Sequence, residues 1–419
     1  MFENLNDYPV DPIMIGADYF AQDPRDDKLN LTVGVYQDEQ GNTPILQAVK
    51  EAERILVETQ VSKSYLALTG DAEYCNLLGL DILGSAFGDD WVAAQTSGGA
   101  VALRVMADLV AQLPVSPTVW LQTPTYGNYI PILTAAGAKY QSIPYYDRIR
   151  SQITFEQMLE HLRHAKAGDL FLMQGYCHNP TGADMTADQF DALLDILDER
   201  GVIPWIDLAY LGFAQGWEAD SDVARKIADR FDECIVCITL SKSFGIYRDR
   251  AGALFVKTRP ADKSKMQRAV SAIVRSGASH APDHGPSVVR TIMGDPKLKN
   301  MWLNDLETMR LSVHGIRQDI VQSERSNHDA DILGYTGTQS SMFSLLPIMA
   351  EQKHALIRDH GIHVVQGGRV NVALLKPDDI STTINATHDV LGLCSATKIA
   401  RYPFATFDDA EYNGLLFAQ

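Results

Sequence analysis

The chain has 419 residues, 46% hydrophobic and 21% charged, and 36 Lys and Arg against 53 Asp and Glu give a formal net charge of −17. That balance excludes a nucleic-acid binder working through a general basic surface. No run of about 18 apolar residues exists, so a membrane-spanning helix is not expected.

The start of the chain, MFENLNDYPVDP, has no basic stretch and no apolar core, so no secretory leader is expected. Residues 1–29, with Pro9, Pro12 and Pro24, read as polar and irregular. Leu31–Tyr36 reads as a short strand or extended segment, and Asp38–Asn42 as a turn. Apolar residues at helical spacing predict a helix over Ile45–Val57. The run Trp91–Gln95 leads into Gly98–Gly99, which opens a helical pattern to Leu113. Further apolar runs follow at Thr118–Gln122, Leu170–Met173, Val202–Ile206, Cys234–Ile238 and Ala253–Val256. Helical patterns at Ala187–Asp198 and Asp222–Phe231 separate some of them. This alternation predicts a mainly parallel sheet covered by helices on both faces. From about Lys299 the pattern changes to one long helix, Asn300–Arg325. Strands at Met342–Leu346 and Gly368–Leu375 flank a helix at Ala350–His360, and a last helix spans Asp378–Leu391. A second, smaller α/β domain is therefore expected. No periodicity continues beyond Gly392.

The five cysteines (75, 177, 234, 237 and 394) are an odd, scattered set, which points to a reducing cytoplasm rather than a disulfide scaffold. Cys234 and Cys237 lie three apart on a strand, so they face opposite sides of the sheet and read as packing residues. No metal site is expected. His161, His164, His354 and His360 lack ligand spacing and read as solvated.

In an open parallel sheet, ligands bind beyond the carboxyl ends of the strands. Those positions carry Gln174 and Asn179, Asp207 and Tyr210, Thr239, Ser241 and Lys242, and the Gly98–Gly99 helix start, with Arg250 ahead of its own strand. A glycine-rich helix start and an arginine suit a phosphate. A lysine beside them can form a Schiff base, and an aspartate can hold a protonated ring nitrogen. No GxxxxGK[ST] and no GxGxxG after a strand is present, so pyridoxal phosphate fits better than a nucleotide.

Ordered motifs sharpen this reading: Asn30-Leu-Thr-Val-Gly-Val-Tyr36, Gln95-Thr-Ser-Gly-Gly99, His178-Asn-Pro-Thr-Gly182, Asp207-Leu-Ala-Tyr210, Ser241-Lys-Ser-Phe-Gly245 and Gly368-Arg-Val-Asn371. From about residue 5 to 391 the chain resembles the aspartate/aromatic-amino-acid aminotransferases, fold type I pyridoxal-phosphate enzymes. The resemblance implies a large α/β domain with a mainly parallel seven-stranded sheet over residues 44–309. It implies a small domain from residues 1–43 and 310–419, with an extra tail from about 393. It implies a cytoplasmic homodimer with shared active sites, acting on amino acids and 2-oxo acids by a ping-pong route.

By the same resemblance, Lys242 is the Schiff-base lysine and the general acid–base, and Asp207 pairs with the pyridine nitrogen. Tyr210 and Asn179 bond the ring oxygen. Arg250, Thr239, Ser241, Gly98, Gly99 and Ala100 form the phosphate site, with Tyr65 reaching in from the neighbouring subunit. Arg369 clamps the α-carboxylate, Gly34 lets the backbone approach, and Arg275 of the other subunit reads a side-chain carboxylate. Tyr126 takes the place of the family's ring-stacking Trp. Tyr129 and Gln174 stand where His is usual, His280 where Asn is, and Ala100 where a hydroxyl residue is. These departures bear on which amino donor is preferred, aspartate or an aromatic amino acid. The rivals are another pyridoxal-phosphate reaction on this fold, such as a decarboxylase or lyase, and a non-catalytic relative.

Overall fold

The computed structural model describes residues 2–5 and 12–392; the tail from about 393, with Cys394, lies outside them. Its central sheet has seven strands: β1 (Trp91–Ser97), β2 (Thr118–Thr123), β3 (Lys139–Pro144), β4 (Leu170–Gln174), β5 (Ile203–Leu208), β6 (Cys234–Thr239) and β7 (Ala251–Lys257). The spatial order is β1-β7-β6-β5-β4-β2-β3. Only β7 runs antiparallel to its neighbours. Strands β4 and β6 are buried along their whole length, which is why they read as unbroken apolar runs. Edge strand β3 begins with four exposed residues, Lys139 to Ser142. It has no apolar run to betray it, and the lysine discourages further strand pairing.

Each face of the sheet has its own core. One is built with α1 (Gly99–Ala111), α2 (Tyr129–Ala136) and the helix Lys263–Gly277. The other is built with Ala72–Leu83, Phe155–Leu162, Ala187–Arg200 and Trp217–Arg230. Cys234 belongs to one core and Cys237 to the other. The Trp205 indole N–H points at the Cys237 sulfur, 3.2 Å away.

The long helix is α3 (Pro296–Asn327), 32 residues and roughly 48 Å. Asp295 caps it by accepting from the Lys297 and Leu298 N–H groups, and Pro296 occupies the position where a missing N–H costs nothing. Beyond it, Phe343–Leu345 pairs antiparallel with Arg369–Asn371, and Leu29–Asn30 pairs parallel with Ile362–His363. The start of the chain is thus stitched to its later part. Helices Ala350–His360 and Pro377–Val390 cover this region.

Several local expectations change. Pro12–Gln22 is helical rather than irregular. Of the two readings of Leu31–Tyr36, a short strand or an extended segment, the strand does not form. The ladder stops at Asn30, and the Asn371 amide takes the Val33 and Val35 carbonyls that a neighbouring strand would otherwise bond. In Gly368–Leu375 only Arg369–Asn371 is a strand, because Asn371 Oδ1 accepts from the Ala373 N–H and starts a 3₁₀ turn. His360, read as solvated, is half-buried and faces Asp389 at 3.1 Å. Among the described residues, no helix is long and apolar enough to cross a membrane.

Candidate active site

The carboxyl ends of β4, β5 and β6 and the start of α1 meet in one buried cleft. Lys242, two residues past the end of β6 by way of Leu240 and Ser241, places its Nζ 4.7 Å from the centre of the Tyr210 ring. Loss of hydration pushes its amine down to about 8; Arg250 acts in the same sense and Asp207 against it. Asp207, in β5, is only 4% exposed. Its Oδ2 accepts from the Tyr129 hydroxyl at 2.8 Å, while buried Oδ1 has no partner among the described residues. Burial raises this carboxyl to about 6, opposed by the Tyr129 hydrogen bond and the Lys242 charge.

Asn179 is fixed by Gln174, whose side chain accepts from the Asn179 N–H at 2.8 Å and donates to its carbonyl at 2.9 Å. The Asn179 amide then faces the Tyr210 hydroxyl at 3.5 Å. Three residues on, a side chain at Gly182 is excluded: its φ is +71°, and a Cβ would lie 2.2 Å from the Phe343 carbonyl oxygen.

The phosphate-type pocket is built from small residues and one guanidinium. Gly98 caps α1 with φ +81°, and a Cβ there would lie 2.6 Å from Arg250 Nη2. The Gly99 N–H donates to Thr239 Oγ1 at 3.0 Å, and Arg250 Nη1 donates to Ser241 Oγ at 3.2 Å. Ala100 sits in the first turn of α1 and brings no hydroxyl. An anion here meets a helix start and a guanidinium together.

Arg369 closes the other end. Its Nη1 faces Asn179 Oδ1 at 3.3 Å and its Nη2 donates to the Thr32 carbonyl at 2.9 Å. The guanidinium lies 4.4 Å from the centre of the Phe343 ring, whose edge meets Tyr210 at 5.8 Å between centres. A Cβ on Gly34 would sit 3.4 Å from Phe343 Cζ. Tyr126 packs edge-on against Tyr129 at 5.3 Å, and burial and the Asp207 charge raise its phenol.

The cluster therefore joins Lys242, Asp207, Tyr210, Asn179, Tyr126, Gly34 and Arg369 to the Gly98–Gly99, Ala100, Thr239, Ser241 and Arg250 pocket. It does not include Tyr65 or Arg275. Tyr65 is 88% exposed and stacks on His280 at 4.9 Å. Arg275 Nη1 donates to Ser279 Oγ at 2.5 Å at the end of its helix. Phe343 also belongs to the cluster, and no sequence motif marks it. Its run, Met342–Leu346, reads only as a strand; the sole hint is an aromatic near the start of an apolar run ahead of the Gly368-Arg motif.

These residues fit pyridoxal phosphate on their own chemistry. A buried carboxylate oxygen lacks a partner, a glycine cradle lies against an arginine, and the half-buried Lys242 amine is poised to lose its proton.

The sequence profile of aminotransferase class I and II matches residues 26–388. A tyrosine aminotransferase of Rhizobium meliloti (strain 1021) is 38% identical over 378 residues, 90% of this chain and 96% of that protein. An aspartate aminotransferase of Escherichia coli (strain K12) is 38% identical over 401 residues, 93% of this chain and 100% of that one. The crystal structure of an aromatic-amino-acid aminotransferase from Burkholderia pseudomallei, covalently bound to pyridoxal phosphate, superimposes with a TM-score of 0.89 at 30% identity, covering 93% of this chain and 99% of that one.

Proposed function

The chain belongs to the class I and II aminotransferases and is a pyridoxal-phosphate-dependent transaminase; on that premise we propose how its residues divide the work and which substrates it takes. The observation that carries the assignment is that Lys242, the open oxygen of Asp207 and Arg369 share one buried cleft. Pyridoxal phosphate, when bound, supplies an aldehyde that takes up amines and a ring that accepts electrons.

Lys242 is the covalent attachment point and the proton carrier at the substrate α-carbon. An amine near 8 is available in neutral form at physiological pH to a far greater extent than an ordinary lysine. Asp207 Oδ1, left without a partner, would accept from the pyridine N–H. Tyr210 and Asn179 would bond the ring oxygen, and Tyr126 would cover the ring face. Arg250, Thr239, Ser241 and the backbone of Gly98, Gly99 and Ala100 hold the phosphate. Arg369 takes the α-carboxylate in a two-pronged pair that a lysine cannot match. Gly34, beside Phe343, leaves room for the substrate against the main chain.

The amino donors are aspartate and aromatic amino acids, and 2-oxoglutarate is the acceptor in a two-stage exchange. The relatives' names support this range. The protein works as a cytoplasmic homodimer. Exposed Tyr65, and Arg275 away from the cleft, then serve the partner's phosphate and side-chain carboxylate sites. The domains are residues 44–309, and 1–43 with 310–419; the pairing of Leu29–Asn30 with Ile362–His363 supports joining the two ends. The test is a panel of donors against 2-oxoglutarate, comparing kcat/KM for aspartate, tyrosine, phenylalanine and tryptophan. Turnover of both classes is expected. Failure of 2-oxoglutarate as acceptor contradicts the role given to Arg275.

A further inference from the structure

Asp207 is held unsymmetrically. Tyr129, the first residue of α2, is 1% exposed and donates to Oδ2 at 2.8 Å. Oδ1, equally buried, is left open. The same phenol ring supports Tyr126, whose ring meets it edge-on at 5.3 Å. One residue thus fixes both the carboxylate that faces the ring nitrogen and the aromatic side chain assigned to the ring face.

We propose that Tyr129 is the positioning residue of the cofactor site: its hydroxyl pins one oxygen of Asp207, favours the ionised carboxylate, and leaves the other oxygen for the ring nitrogen through a donor that keeps its charge state across the neutral pH range. This rests on the reading above that Asp207 faces the ring nitrogen.

A buried carboxylate and a pyridinium can pass the shared proton between them. A hydrogen bond donated to the carboxylate stabilises its charged form and keeps the proton on nitrogen. Without it, burial drives Asp207 toward its neutral form. The titratable groups facing Asp207 are Tyr126 and Tyr129 at the start of α2, Tyr210 beyond β5, Cys237 on β6 and Lys242 beyond β6. Burial raises both the three phenols and the thiol. Lys242, near 8 as a free amine, is joined to the cofactor in the holoenzyme and is common to every variant compared.

The experiment uses holoenzyme loaded with pyridoxal phosphate labelled with nitrogen-15 in the ring, in wild type, Tyr129→Phe and Tyr129→His. The ring-nitrogen resonance is followed from pH 6 to 9, and cofactor dissociation is measured by fluorescence titration. The wild type is expected to show a protonated nitrogen throughout. Tyr129→Phe is expected to move the resonance toward neutral pyridine and to weaken cofactor binding about ten-fold. Tyr129→His introduces a donor that titrates, so its resonance is expected to step between pH 6 and 8. A Phe variant with the wild-type resonance and affinity overturns the proposal. If that variant does not fold, a flat His profile overturns it. A wild type that fails to bind pyridoxal phosphate overturns the site assignment itself, which separates the two failures.

Discussion

At Lys242, loss of hydration outweighs the attraction of Asp207, and the amine settles at about 8 against an ordinary 10.5. For a group depressed in this way, the stabilising contribution is present above 10.5 and is lost as pH falls through about 8. Asp207 is raised instead. Its contribution is present below its ordinary 3.8 and is lost as pH rises through about 6. Between about 6 and about 8 the cofactor-free fold carries two opposite charges, Asp207 buried and Lys242 half-buried. Acylation of Lys242 in the cofactor-free protein is therefore expected to rise with pH about a midpoint near 8, as read by mass spectrometry. A midpoint near 10.5 contradicts the burial argument. Arg369→Lys keeps the charge and loses the fork, so kcat/KM is expected to fall on the order of 10–100-fold, mainly through KM, in steady-state kinetics. Most of these residues are legible in the sequence because each sits at a strand end inside a motif. Phe343 is not. Its role depends on α3 and the Arg369 strand meeting it in space, which no local spacing encodes.

The elements explain why those side chains hold their places. Gly98 is required by a left-handed φ and by the closeness of Arg250, so Gly98→Ala is expected to weaken pyridoxal-phosphate binding on the order of ten-fold in a fluorescence titration. Arg317 of α3, 1% exposed, donates to the carbonyls of Thr336, Ser341 and Phe343. It fixes the loop that brings Phe343 under Arg369. Arg317→Met leaves those acceptors buried and unpaired, and urea unfolding is expected to show a loss of about 3 kcal/mol or more. Runs buried on both faces, such as β4 and β6, announce themselves in sequence. Edge strand β3 does not, since its exposed side chains are chosen for solvent. The Asn371 turn ends its strand early for a local reason: a side-chain amide and carbonyl compete with the ladder.

At the scale of the molecule, the −17 charge leaves anion binding to a few individually placed arginines rather than to a basic surface. Tyr65, nearly fully exposed, and Arg275, outside the cleft, gain a role only if a second copy supplies the missing surface. Sedimentation is expected to show a dimer. Arg275→Ala is expected to lower kcat/KM for aspartate on the order of 10–100-fold while leaving phenylalanine little changed. Lys242 carries the amino-group exchange. Its most direct test is single-turnover mixing of holoenzyme with L-aspartate alone, followed by cofactor absorbance, in wild type and Lys242→Ala. Rapid conversion of the cofactor in the wild type and a rate lower by about 10²–10⁴-fold or more in the variant are predicted. A variant that converts at the wild-type rate contradicts the account.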